Sequence, residues 1–311
     1  MTEPPQHVLA LDFGGTKLAA GVVNLKQSTL VHALRTDTPA EGGAESTFSA
    51  MTALARRLEQ TEPIVGIGVS FGGHVLDGRI LRSMHVAGWE DFPLAERLGS
   101  AFGVDVIRIA NDANAVALGE WRFGAGKGCE SLLYVTVSTG IGGGLVLNGD
   151  LFPGAHGMAG EIGHMQIVSN GPVCTCGRRG CLEALAAGPA IARRALELLT
   201  HPEYRSSSLC ECEHLTSVDV ASAADAGDPL AIAVLKEAAA HLGIGIANAI
   251  NLLDVACVVV GGGVSRAGSH WWSTVQATVT AASLGKGEGV RLARSMLGIN
   301  EGIWGGAALF S

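Results

Sequence analysis

Charge is scarce in this chain, and positive charge scarcest: 16% of its 311 residues are charged, with 21 Lys and Arg against 29 Asp and Glu. A formal net charge of -8 gives no electrostatic draw toward nucleic acid or an anionic membrane, so neither is expected as a partner. Aromatics are few as well, at 5%, and Trp89, Trp121, Trp271, Trp272 and Trp304 read as core or interface anchors rather than as a base-stacking surface. No apolar run is expected to reach the roughly 18 residues that span a bilayer. The first residues lack a basic segment followed by an apolar one, so no export signal is expected and the cytoplasm is the expected location. Seven cysteines, an odd number in a chain of this length, fit a reducing compartment better than a disulfide framework.

Glycine, in contrast, is abundant: 44 residues, about twice the usual share of roughly 7%. The glycines cluster instead of repeating, which excludes collagen and marks tight loops where backbone approaches a ligand. With 48% apolar residues, the chain can bury a core large enough for two domains.

The densest chemistry lies between Gly160 and Glu183. Cys174, Cys176 and Cys181 are spaced C-x-C-x4-C around Gly177 and Gly180, and His164 offers a nitrogen. Three thiolates and one imidazole make a closed tetrahedral set suited to structural zinc, with no open position for a catalytic water. Glu161 and Glu183 bracket the loop, so a metal that fixes the ligands also fixes two acids able to read hydroxyls. Cys129 and Cys257 lie in apolar surroundings and read as core. Cys210 and Cys212 form a second C-x-C near His214 but lack the glycine turns.

In chain order, apolar runs 8–11 and 18–23 flank Asp12, Gly14, Gly15, Thr16 and Lys17, which predicts a β-hairpin whose turn can face a phosphate. Asp12 is placed to hold magnesium through water. A helix is expected over Ser46–Glu59 and a strand over Ile64–Val69, leading into Gly72, Gly73 and His74. The alternation of strand and helix points to an α/β layer with ligand loops at strand ends. A strand over Val104–Ile109 meets Asn111 and Asp112 where a helix begins. There Asp112 is either a general base for a substrate hydroxyl or a helix N-cap.

A strand over Ser131–Val137 then leads through Ser138, Thr139, Gly140 and Gly142 into another strand, repeating the plan of the first hairpin. A helix is expected over Ala187–Leu199 and a polar loop over 201–217, followed by two further helices separated by a break at Asp225–Asp228 before Pro229, the second running over Leu230–Leu253. A strand over Val255–Val260 ends in Gly261, Gly262 and Gly263, a turn suited to an adenosine. The terminal segment from Ile303 to Phe310 reads as a helix returning to the first domain.

These motifs in this order, D-F-G-G-T-K at 12–17, N-D-A-N-A at 111–115, V-S-T-G-I-G-G-G at 137–144, G-E-I-G-H at 160–164 and C-T-C-G-R-R-G-C-L-E at 174–183, resemble the ROK family of bacterial sugar kinases and repressors. The resemblance implies an α/β fold of the actin-like ATPase (ribonuclease H-like) type, with two lobes around a central cleft. Residues 1–110 with 301–311 form the expected small lobe, and 111–300 the large lobe with the zinc loop. It implies ATP-dependent transfer to the 6-hydroxyl of a sugar, with magnesium as cofactor and zinc in a structural role. Asp112 is the implied base. Gly73, His74, Asn111, Glu161, His164 and Glu183 are the implied sugar contacts. His164 with the three cysteines are the implied zinc ligands, and the turns at 14–16, 139–142 and 261–263 the implied nucleotide loops. Relatives of this type are commonly homodimers.

Phe71-Gly72-Gly73 and Met84-His85 depart from the residues usual in the family's glucokinases, and the Gly-Gly turn before His74 resembles its N-acetylmannosamine kinase branch. Glucose is the expected sugar, and N-acetylmannosamine the alternative. The family's repressors carry a helix-turn-helix before the first glycine turn, where only eleven residues precede Asp12, so a sugar-sensing regulator is the distant reading.

Overall fold

A computed structural model describes residues 6–58, 63–83 and 86–311. The expected helix end at Glu59 and the Met84-His85 pair lie outside the described residues. The chain divides into two compact units, one of residues 1–134, 144–160 and 295–311, the other of 135–143 and 161–294.

The first unit is built on a five-stranded sheet of order β3-β2-β1-β4-β7. Its strands are β1 (His7–Phe13), β2 (Lys17–Asn24), β3 (Thr29–Asp37), β4 (Ile64–Phe71) and β7 (Ile107–Asn111), and β5 (His74–Leu76) with β6 (Arg79–Arg82) forms a separate ribbon. The predicted hairpin is present: β1 and β2 pair antiparallel from His7↔Asn24 to Phe13↔Leu18. On its other edge β1 runs parallel to β4.

Strand periodicity explains why both faces of this sheet are covered. Leu9, Leu11 and Phe13 point into a core shared with α1 (Gly43–Arg56) and α2 (Leu94–Phe102). Val8 and Ala10 point the other way, onto Ile303 and Ala307 of the C-terminal helix α9 (Glu301–Ala308). Trp89, 1% exposed, closes the first core in edge-on contact with Phe13, Phe71 and Phe92. Against β4, α9 comes to backbone contact. A Cβ on Gly68 would fall 1.9 Å from the Gly306 carbonyl oxygen, so a side chain there would push the helix off the sheet. Helix α3 (Asp112–Phe123) packs beside α9.

A second sheet, of order β10-β9-β8-β11-β12, contains β8 (Ser131–Val137), β9 (Ile141–Leu147), β10 (Asp150–Leu151), β11 (Cys257–Gly261) and β12 (Arg291–Arg294), and the division between units falls within β8 and β9. The helices of the second unit are α4 (Leu182–Ala186), α5 (Gly188–Leu199), α6 (Ser217–Asp225), α7 (Pro229–Leu253) and α8 (Gly268–Ala282). The break before Pro229 is where the sequence puts it. Asp228 caps α7 by accepting from the Leu230 and Ala231 amides, with Pro229 at the first helical position.

Contrary to expectation, α7 is long and apolar enough to cross a bilayer by length and composition, with a mean hydropathy of 1.6 over 18 residues. Lys236 and Glu237 interrupt the run yet leave that average high. In the fold 61% of this stretch is buried in protein, mainly against α6 and α8, as a core helix is.

Candidate functional site

In the first unit, two strands and a helix converge on Asp12. Ser70 at the end of β4 donates to Asp12 Oδ1 at 2.9 Å, and α9 lies so close that a Cβ on Gly302 would sit 2.2 Å from the Asp12 Cγ. Burial raises the Asp12 pKa to about 7. The charges of Asp112 and Glu301 add to that rise, while the Ser70 hydrogen bond and Arg35 oppose it. Arg35, from β3, is tied to the Ile299 carbonyl and the Asn300 amide oxygen. Ser70, Glu301 and Gly302 escaped the sequence reading because they reach Asp12 only through β4 and α9. The oxygen donors and crowded negative charge fit a hydrated magnesium ion.

The two readings of Asp112 separate in the structure. Asn111, not Asp112, is the N-cap of α3: its Oδ1 accepts from the Asn114 amide at 3.1 Å. The Asn111 side-chain amide donates to the Gly73 carbonyl at 3.0 Å and to Asp112 Oδ1 at 2.9 Å, and the Ala113 amide donates to the same oxygen. Asp112 Oδ2 lies near Gly72, 3.7 Å from where a Cβ on that residue would be. The carboxylate is thus anchored where β7 ends, at the edge of the sheet where ligands bind.

Neighbouring predicted residues take other roles. The His74 Nε2 lies 2.8 Å from the His156 carbonyl, tying β5 to the segment before Gly160. Lys17 pairs with Asp37 of β3. Gly14, Gly15 and Thr16 form the hairpin turn, closed by Gly14 N–H donating to the Lys17 carbonyl.

In the second unit the Cys and His residues converge. The ligand atoms of His164, Cys174, Cys176 and Cys181 all lie within 4.8 Å of one another, a set that could hold a metal ion. The loop is a knuckle: Cys174 N–H donates to the Arg178 carbonyl at 2.7 Å and Gly177 N–H to the Cys174 carbonyl at 2.9 Å. Contacts with Arg178 pull the Cys176 thiol down to about 6, whereas burial pushes Cys181 up to about 12, reinforced by its neighbouring thiols. His164 presents Nδ1 to Cys174 at 3.7 Å and Nε2 to Glu161 at 3.9 Å, the arrangement in which one imidazole nitrogen ligates and the other is held by a carboxylate. Glu183 joins this loop to the second glycine turn, accepting from Thr175 Oγ1 at 3.1 Å and from the Ile141 amide at 3.0 Å. Cys210 and Cys212 belong to no such cluster among the described residues. Cys257 is buried as expected, and Cys129 only half-buried.

A cavity of about 910 Å³ opens beside that turn. Thr139 and Gly263, from two separately predicted loops, both line it, with Pro189 and Leu196 of α5 and Val218 of α6. Gly262 shapes the backbone instead, with φ +81° and no room for a Cβ against Val137. Gly140 and Gly142 likewise serve the turn and β9. The α6 wall is the helix expected between the polar loop and the break before Pro229, and it presents Val218, Ala221, Ser222 and Asp225 to the cavity.

Comparison with known proteins agrees with this architecture. Residues 8–311 match the ROK family. The chain is 39% identical over 279 residues to a glucokinase of Halalkalibacterium halodurans, covering 86% of this chain and 84% of that protein. It superposes on a ROK hexokinase from Thermus thermophilus with a TM-score of 0.82 at 37% identity, covering 97% of both chains. A ROK glucokinase from Streptomyces griseus, solved with glucose and AMPPNP, gives 0.83 at 31% identity, covering 97% of this chain and 98% of that one. The fold is that of the actin-like ATPases, of which these sugar kinases are members. The chain belongs to the ROK family.

Proposed function

We propose that the protein is an ATP-dependent sugar kinase that phosphorylates the 6-hydroxyl of a hexose, with glucose as the substrate. The observation that carries the mechanism is the start of α3: Asn111 Oδ1 caps the helix through the Asn114 amide, and the Asn111 side-chain amide with the Ala113 amide fixes Asp112 Oδ1, which sets the carboxylate in place. In the reaction Asp112 accepts the proton of the sugar hydroxyl as that oxygen bonds to the γ-phosphorus. The bond from the γ-phosphorus to the bridging oxygen breaks, and ADP leaves with its electron pair.

Asn111, Glu161, His164 and Glu183 orient the sugar in this reading, and the cavity bearing Thr139 and Gly263 receives the nucleoside. Gly73 supplies the carbonyl that orients Asn111, and His74 steadies the adjoining segment. Asp12 and its neighbours would hold magnesium, which neutralises phosphate charge when bound. His164, Cys174, Cys176 and Cys181 would hold zinc in a structural role. A homodimer in the cytoplasm belongs to the same proposal, the location resting on seven free cysteines.

N-acetylmannosamine is the second reading, favoured by the Gly72-Gly73-His74 turn and by 32% identity over 274 residues to an N-acetylmannosamine kinase of Yersinia pseudotuberculosis. A coupled assay of ADP release across glucose, mannose, fructose, N-acetylglucosamine and N-acetylmannosamine, with Asp112→Asn as control, tests both. Turnover on glucose that disappears in the variant is the expected result. Turnover confined to N-acetylmannosamine replaces the substrate, and turnover that survives in Asp112→Asn refutes the mechanism.

A further inference from the structure

The cavity beside Thr139 contains one acid whose task the kinase reading leaves open. Asp225 is the only carboxylate lining it, and it has no hydrogen-bond or ion-pair partner among the described residues. We propose that Asp225 selects the phosphoryl donor by accepting hydrogen bonds from the 2′- and 3′-hydroxyls of its ribose, so that the cavity prefers ribonucleotides to deoxyribonucleotides. The inference rests on the kinase reading.

Three observations support it. Val218, Ala221, Ser222 and Asp225 line the cavity at helical spacing, so one face of α6 runs from apolar to polar along the wall. The apolar end, with Leu196 and Pro189 of α5 facing the same space, suits the flat carbon surface of a base. The polar end lies beside the turn that follows Gly263, where a sugar linking base to phosphates belongs.

The carboxylate also has a close backbone neighbour. A Cβ on Gly268 would meet Asp225 Oδ1 at 2.4 Å, and Gly268 has φ +84°, so the first residue of α8 backs the carboxylate closely. Finally, the two cations of the cavity are not committed to Asp225. Arg193 is engaged by the Ala184 carbonyl and Glu197, and Arg266 stands on the turn after Gly263. A carboxylate is acceptor-only and repels phosphate, so what it selects is a neutral donor pair, and a vicinal diol presents two O–H groups at the spacing of its two oxygens.

The test is equilibrium binding, by calorimetry, of ADP, 2′-deoxyADP, 3′-deoxyADP and inosine diphosphate to the wild-type protein and to Asp225→Asn and Asp225→Ala. Loss of either hydroxyl should weaken binding to wild type about tenfold, the size of a hydrogen bond to a charged acceptor. Asp225→Ala should bind ADP correspondingly more weakly and treat the deoxy analogues like ADP, with Asp225→Asn between. Equal binding of ADP and its deoxy analogues by wild type overturns the proposal, as does full discrimination retained in Asp225→Ala. A penalty confined to inosine diphosphate assigns the contact to the base amine and overturns it too. Absence of ADP binding by wild type is a separate outcome, which removes the nucleotide reading of the cavity and this proposal with it.

Discussion

Two inward-facing carboxylates in the first unit, Glu120 buried and Asp12 half-buried, are treated in opposite ways. Glu120, 0% exposed, accepts from four neutral donors: the Ala125 amide at 2.8 Å, Ser295 Oγ at 2.5 Å, and the Met296 and Leu297 amides at 3.1 and 3.2 Å. Asp12 has the Ser70 hydroxyl, with Asp112 and Glu301 adding like charge. Glu120 is a structural clamp, fastening the strand-to-helix connection that leads to α9. Asp12 is held at a cost in electrostatic energy, with burial and two like charges raising its pKa to about 7. The contrast lies in the donors around each carboxylate: four for Glu120, one hydroxyl for Asp12.

That contrast can be broken in several places. The largest expected effect is at Asp112: Asp112→Asn should lower turnover by about 10³-fold, within the range for a positioned general base, with sugar binding measured by calorimetry nearly unchanged. Loss of sugar binding instead would return Asp112 to a structural role. Next is Glu120→Ala, which strands four partly buried donors and should cost about 3 kcal/mol, read as a large fall in melting temperature. A melting temperature equal to wild type would remove the clamp.

Stripping metal from the His164–Cys181 loop, or Cys176→Ser, should lower melting temperature and sugar affinity together, because Glu183 is bonded to Thr175 inside the loop. Unchanged melting after verified metal removal would sink that idea.

Smaller and more diagnostic is a pH slope. Asp12 has its ordinary value of 3.8 when unfolded and about 7 when folded. Between these values the folded state binds the extra proton, so without added magnesium stability should fall as pH rises through the window and level off above about 7. Asp12→Asn should flatten that slope in melts taken at pH 5 and 8; an equal slope in both proteins would refute the assignment.

The smallest effect is at Asp228. Burial works to raise its pKa, but hydrogen bonds from Ala231, Ser207 and Ser208 win and hold it below the ordinary value. Its contribution is therefore present above the ordinary value and lost as acid protonates the folded group. Asp228→Ala should cost about 1 kcal/mol at neutral pH, and an undiminished difference at pH 2 would contradict the linkage.

What was legible in the sequence was local. The hairpin around Gly14, the cysteine knuckle and the strand-to-helix junction at Asp112 each lie within a few residues, where turn chemistry and period decide the outcome. Asn111 and Asp112 could not be ranked as caps because both side chains cap well, and the choice is made by the Gly73 carbonyl, which β4 and its turn bring from 38 residues away. Glu301 and Gly302 were invisible beside Asp12 for the same reason. The α6 helix was legible, its start fixed by the Thr216–Asp219 capping box, but its place in the cavity wall was not, because α5 and the turn after Gly263 complete that wall from distant parts of the chain. The extent of α7 was legible, expected over Leu230–Leu253 and found over Pro229–Leu253; its mean hydropathy was underrated.

Contact between α9 and β4 at Gly306 and Gly68 also has a consequence for biosynthesis. The first unit takes its opening residues from the start of the chain and its last helix from the very end. Val8, Ala10, Ala19 and Val23 are covered by Ile303 and Ala307. At about 5–20 residues per second, a ribosome therefore leaves that apolar face bare for many seconds while the whole second unit is made. Strands β1 and β2 thus wait for a helix made after the second unit, and a stop codon just before Glu301 would leave the sheet without its cover.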